Sequence, residues 1–172
     1  MVLSTHMVVG ALLAQQVSNP FVAFFVGFLS HFVLDAIPHW DYEVKALIMR
    51  DKENKLNSST SVNLKSLYDL IKIGCDVLLG FIIIFIIFKI YSLDQILESQ
   101  NLYILIGAIG GATPDFLQFV FFHWKNNKYI YGLLVNLQKF HMWIHSQKKT
   151  LTPIVGITFQ VIVVIIAFIC LR

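Results

Sequence analysis

Apolar and polar positions fall along this chain in long blocks rather than in strict alternation. Val2 to Val17, Phe21 to Ile37, Leu67 to Ile90, Leu102 to Phe122 and Leu151 to Leu171 are apolar runs of helical length. A helix needs about 20 such residues to cross a hydrocarbon core of roughly 30 Å. The pattern predicts an all-α polytopic membrane bundle with about five transmembrane segments. The first run is short and carries His6, Gln15 and Gln16, so it reads either as a full span or as a half-inserted helix. Ser18-Asn19-Pro20 marks a turn before the second. Tyr129 to His145 is mixed, with Ile130, Leu133, Leu134 and Leu137 at helical spacing, which predicts an interfacial or amphipathic helix. Between 91 and 101 the sequence reads as a polar connection, and residues 42–66 read as a flexible polar loop.

Composition agrees with that pattern. Of 172 residues, 57% are hydrophobic and 13% charged, about half the charged share of an average soluble domain. A single domain over 1–172 is the natural reading. Cys75 and Cys170 lie in separate apolar runs, so no disulfide is expected. The first basic residue is Lys45, so the N-terminal run lacks the basic flank of a signal peptide, and the sequence reads as mature protein.

Basic residues orient the bundle. Alternating spans put Lys45, Arg50, Lys52, Lys55, Lys65, Lys125, Lys128, Lys139, Lys148 and Lys149 on one side, and Lys89 and Arg172 on the other. Positive charge is retained in the cytoplasm, so the N-terminus and the 42–66 loop are expected there.

Topology then gathers the ionisable residues. His6, His31, Asp35, His39, Asp41, Asp115, His141 and His145 all fall at or near the expected cytoplasmic side. A charged group inside a bilayer costs several kcal/mol unless it finds a partner or water. His31 and Asp35 are one helical turn apart, Pro38 ends the helix, and His39 and Asp41 follow on the exit. His141 and His145 repeat the one-turn spacing. Imidazole with carboxylate suits zinc first, with manganese or iron as alternatives. The expected ligand set is His6, His31, Asp35, His39, Asp115, His141 and His145, with Asp41 beside it as the group that orients or deprotonates water. Asp69, Lys72 and Asp76 share a helix face and are read as pairing with one another. His123 is read as solvated, and Trp40, Trp124 and Trp143 as interfacial aromatics.

The order Thr5-His6, His31-Phe32-Val33-Leu34-Asp35, Ile37-Pro38-His39-Trp40-Asp41, Gly111-Ala112-Thr113-Pro114-Asp115 and His141-Met142-Trp143-Ile144-His145-Ser146 resembles a bacterial family of small inner-membrane proteins. These are the predicted membrane-bound metal-dependent hydrolases. Phe116, Leu117 and Gln118 stand where that family often continues with a second Asp and a His. The paired histidines are four apart rather than five. The resemblance implies a bacterial inner-membrane location and hydrolytic chemistry.

Signatures of other membrane enzymes are missing: the sequence has no His-Glu-x-x-His, no Gly-x-Ser-x-Gly and no phosphate-binding glycine loop. Nothing suggests nucleic-acid binding. The function expected is metal-dependent hydrolysis of a phosphoester or related bond in a lipid or amphiphilic substrate. The alternatives are a metal-ion or proton transporter, a non-catalytic metal-binding membrane protein, and a bundle whose polar residues only fix helix packing. The oligomeric state is not written in the sequence.

Overall fold

The first apolar run, the shortest of the five, lies at the centre of the molecule. In the computed structural model, which describes residues 2–42, 64–124, 127–146 and 151–171, it forms α1 (Leu3–Ala14), and all of its residues except Leu13 are buried. Its apolar residues cover every face, as expected of a helix buried on all sides. Around it come α2 (Pro20–Asp35), α3 (Leu64–Phe88), the short α4 (Leu93–Leu97), α5 (Ser99–Trp124), α6 (Lys128–Ser146) and α7 (Pro153–Leu171). The described residues form no strand. Met7, Val8, Ala11 and Leu12 of α1 pack with Ile84 of α3 and Ile104 and Ala108 of α5 to make the main core.

Among the described residues, three helices are long and apolar enough to cross a membrane, over Leu67–Phe88, Ser99–Phe121 and Pro153–Leu171. This is consistent with a membrane protein. At 12 and 16 residues, α1 and α2 rise about 18 and 24 Å, less than a full hydrocarbon core. The outer surface is apolar. Phe21, Phe25, Leu29 and Val33 form an exposed stripe along α2, and Ile154, Ile157, Val161, Ile165 and Ile169 are exposed on α7.

Small residues let α1, α2 and α5 approach closely. A Cβ on Gly10 or Gly27 would overlap the carbonyl of Gly107, and one on Gly111 would overlap that of His6. Close backbone approach through small residues is a usual way of packing helices in lipid. The helix α2 begins where Asn19 accepts from the N–H groups of Phe21 and Val22, with Pro20 in the first turn. It ends at Asp35, just ahead of Pro38. The connection expected between 91 and 101 contains α4 instead, closed by a reciprocal Ser92–Gln95 capping box. The expected loop at 42–66 lies almost entirely outside the described residues.

Mixed polarity in the sixth segment also resolves. The helix α6 turns Leu134, Gln138, His141 and Ile144 inward against its neighbours α5 and α2. Tyr129, Leu133, Phe140, Met142 and Trp143 face outward.

Candidate metal centre

All the candidate ligands but Asp115, which lies inside α5, sit near a helix end or on the chain that leaves one. His6 is in the first turns of α1, and His31 and Asp35 are in the last turns of α2. His39 and Asp41 lie on the exit chain, Asp115 is in the second half of α5, and His141 and His145 close α6. The bundle brings these ends together. His6, His31, Asp35, His39 and His141 are fully buried, while the side chains of His145, Asp115 and Asp41 are 29%, 32% and 40% exposed. The cluster therefore has a closed floor and one open edge.

Asp35 is its hub. Its Oδ2 lies 2.8 Å from His145 Nε2, 3.0 Å from His141 Nε2 and 3.1 Å from His31 Nε2. Its Oδ1 lies 3.4 Å from His6 Nε2 and 3.6 Å from His39 Nε2. Asp115 Oδ1 stands 3.6 and 3.7 Å from the Nε2 atoms of His31 and His141. Asp41 Oδ2 is 3.1 Å from His39 Nε2 and 3.9 Å from His145 Nδ1.

The backbone fixes two tautomers. His31 donates its Nδ1–H to the carbonyl of Gly111 at 2.8 Å, and His39 donates its own to Ile37 at 2.7 Å. A neutral imidazole so engaged has only a lone pair at Nε2. Both lone pairs face carboxylate oxygen, and His31 Nε2 also faces His141 Nε2 at 3.2 Å. His145 and His141 bring Nε2 atoms to 3.1 Å. Acceptors crowded this way repel unless protons or a cation lie between them. Both ring nitrogens of His6 and the Nδ1 of His141 are buried without a hydrogen-bond partner.

Ligand atoms fall into three overlapping triads: His6–His31–Asp115, His31–Asp35–His141 and Asp35–His39–His145. Tetrahedral zinc with bonds near 2.1 Å separates its ligands by about 3.4 Å. The spacings of 2.8–3.7 Å around Asp35 and Asp115 bracket that value, so the donor set fits a metal.

At the open edge, burial opposes ionisation of Asp41, but the His39 imidazole beside it, when protonated at Nε2 as well, prevails and holds the carboxyl below its ordinary range. Burial and the Asp76 carboxylate push the Tyr42 phenol above its own.

Other residues hold this end of the bundle together. Asp76 of α3 accepts the N–H of Leu3 at 2.7 Å, the N–H of Ser4 at 3.2 Å and the hydroxyl of Tyr42 at 3.1 Å. It thus caps α1 from a neighbouring helix. Asp69 does pair with Lys72, at 3.8 Å, but Asp76 makes these three bonds instead of serving the expected helix-face pairing. Gln160 of α7 accepts the N–H of Val2 at 3.0 Å and donates to the carbonyl of Trp40 at 2.7 Å. Trp40 packs where a Cβ on Gly156 would stand, so it has a structural role beyond an interfacial belt. A glutamine in the middle of so apolar a helix is the signal that reveals Gln160. His123 and Trp124 lie in α5, but their side chains lie outside the described set.

No family model matches the chain, and no curated protein or solved structure gives a significant match.

Proposed function

We propose that this chain is a membrane-embedded metal-dependent hydrolase acting on a phosphoester or related bond of a lipid or amphiphilic substrate. One observation carries the reading. Five imidazoles converge on the two oxygens of one buried carboxylate, and at least two of them, His31 and His39, turn an Nε2 lone pair toward it. A cation relieves that repulsion, and helix packing alone gives no reason to collect five histidines around Asp35. Successive triads share His31 and then Asp35, so His6, His31, Asp35, His39, Asp115, His141 and His145 would hold one or more ions. Zinc suits the donors best, with manganese or iron next.

When bound, the ions activate water and polarise the bond to be broken. The protein supplies the rest. Gly111 and Ile37 fix two imidazoles in the ligating tautomer. Asp41, ionised and part exposed at the open edge, orients or deprotonates the attacking water. The open edge is formed by the part-exposed His145, Asp115 and Asp41, where a substrate would keep its tail in lipid while its polar group reaches the centre.

In the same reading all five apolar segments lie within the bilayer, α1 and α2 being enclosed by longer neighbours. The distribution of lysine and arginine, ten to two, supports a cytoplasmic N-terminus and 42–66 loop. The resemblance of motifs supports a bacterial inner membrane. A non-catalytic metal-binding protein or a transporter is the second reading. Clustering at one end of the bundle disfavours a through-pathway, for which sites near the midplane are usual.

The test is elemental analysis of detergent-purified protein beside the His31→Ala/Asp35→Ala double variant, followed by assay on phospholipid and simple phosphodiester substrates. Stoichiometric zinc, manganese or iron in the wild type, lost in the variant, with hydrolysis that tracks the metal, is expected. Metal without hydrolysis favours the second reading. No metal in either sample, even after incubation with excess ion, removes both.

A further inference from the structure

Gln138 stands on α6 three residues before His141, on the same face, and is completely buried. Its neighbours on that face are Leu134 and Ile144, where an apolar side chain would meet no polar obligation. Both amide atoms of Gln138 are nonetheless buried without a hydrogen-bond partner, as is the Nδ1 of His141. A buried amide that bonds to nothing costs stability, so its presence needs a reason.

Two other imidazoles of the cluster supply one. His31 and His39 each present Nε2 to the centre and anchor Nδ1–H on a carbonyl oxygen, that of Gly111 and that of Ile37. His141 also presents Nε2 to the centre, toward Asp35, but its Nδ1 has no such anchor. An imidazole that ligates through Nε2 carries its proton on Nδ1 and requires an acceptor there.

We infer that Gln138 is the positioning residue of His141: its Oε1 accepts the His141 Nδ1–H, directly or through one water, when the centre is loaded. This inference rests on the metal reading of the site. The two carbonyls that serve His31 and His39 belong to the backbone, whereas Gln138 can be removed by a side-chain substitution.

The experiment compares wild type, Gln138→Leu and Gln138→Glu in detergent, with zinc affinity read by competition against a chromophoric chelator. Leucine has similar bulk and no acceptor, whereas glutamate keeps one. Gln138→Leu should bind zinc about 10–100-fold more weakly, the usual effect of losing such a partner. Gln138→Glu should stay within a few-fold of wild type, and the metal-free melting temperature of Gln138→Leu should not fall. The ¹⁵N shift of His141 Nδ1 should report a hydrogen-bonded N–H in wild type and Gln138→Glu only. Equal affinity in Gln138→Leu and wild type overturns the inference while leaving the metal centre intact. So does a loss in Gln138→Glu matching that in Gln138→Leu. If Gln138→Leu does not fold, Gln138→Glu decides alone, with retained affinity for the inference and lost affinity against it. A wild type that takes up no zinc, manganese or iron overturns the metal reading and this inference together.

Discussion

At its first turn α1 hands the N–H groups of Leu3 and Ser4 to Asp76 of α3, and the N–H of Val2 goes to Gln160 of α7. At its last turn Gln15 and Gln16 donate to the carbonyl of Leu171, and Gln100 donates to the carbonyl of Gln15. Both ends are closed by side-chain hydrogen bonds to distant helices, and both use amide groups. They differ in burial and in charge. Asp76 and Gln160 are almost wholly buried, whereas Gln16 and Gln100 are exposed. A hydrogen bond that water can replace contributes little, while a buried one leaves an orphan when it is cut. The first end also carries His6, directly ahead of the wholly apolar stretch from Met7 to Ala14. Precision is therefore concentrated at the end that holds the ligands.

Breaking the first end should cost the most. Asp76→Ala strands two backbone donors and the Tyr42 hydroxyl, and should destabilise the protein by about 3 kcal/mol. A thermal melt in detergent measures this, and bound metal should fall with it because His6 rides on the uncapped turn. Gln160→Leu leaves the Val2 N–H and the Trp40 carbonyl without their partner and should cost about 2 kcal/mol. Its metal loss should be smaller, since the link to His39 runs through Trp40. Gln16→Ala at the far end should change stability by less than about 0.5 kcal/mol and leave metal content unchanged. An Asp76→Ala variant that melts and binds metal like Gln16→Ala would erase the contrast between the two ends.

Part of this was legible in the residues. The pairing of His31 with Asp35 follows from helical spacing, and Pro38 turns the chain so that His39 and Asp41 return to the same centre. His6, His141 and His145 were expected nearby because alternating spans put them on one side, and the structure brings them to Asp35. The fourth apolar run holds Gly107, Gly110 and Gly111, small residues of the kind that permit the close helix approach Gly107 and Gly111 provide. Less visible was the central place of α1, because a short apolar run looks alike whether lipid or protein surrounds it. The roles of Asp76, Gln160 and Gln138 were hidden for another reason. Two of them act across 73 and 158 residues of sequence, and the third is conspicuous only because its burial leaves it unpartnered. The capping box at Ser92 and Gln95 has a local signature, and its missed reading belongs to the spacing of the two residues rather than to tertiary context.

Asp35 and His141 are 106 residues apart, and between them lie α3, α4, α5 and most of α6. A link across so long a stretch acts on the chain as a clasp. For a water-soluble chain, closing a loop of about 100 residues with a covalent cross-link is worth about 4.7 kcal/mol of restricted unfolded-state freedom. A chain already threaded through lipid has less freedom to lose, so the gain here is smaller. An ion held between α2 and α6 would be such a clasp in removable form. Under the proposed reading, docking of α6 onto the bundle and acquisition of the ion would become one event, and a chelator would act on this protein as a reducing agent acts on a disulfide.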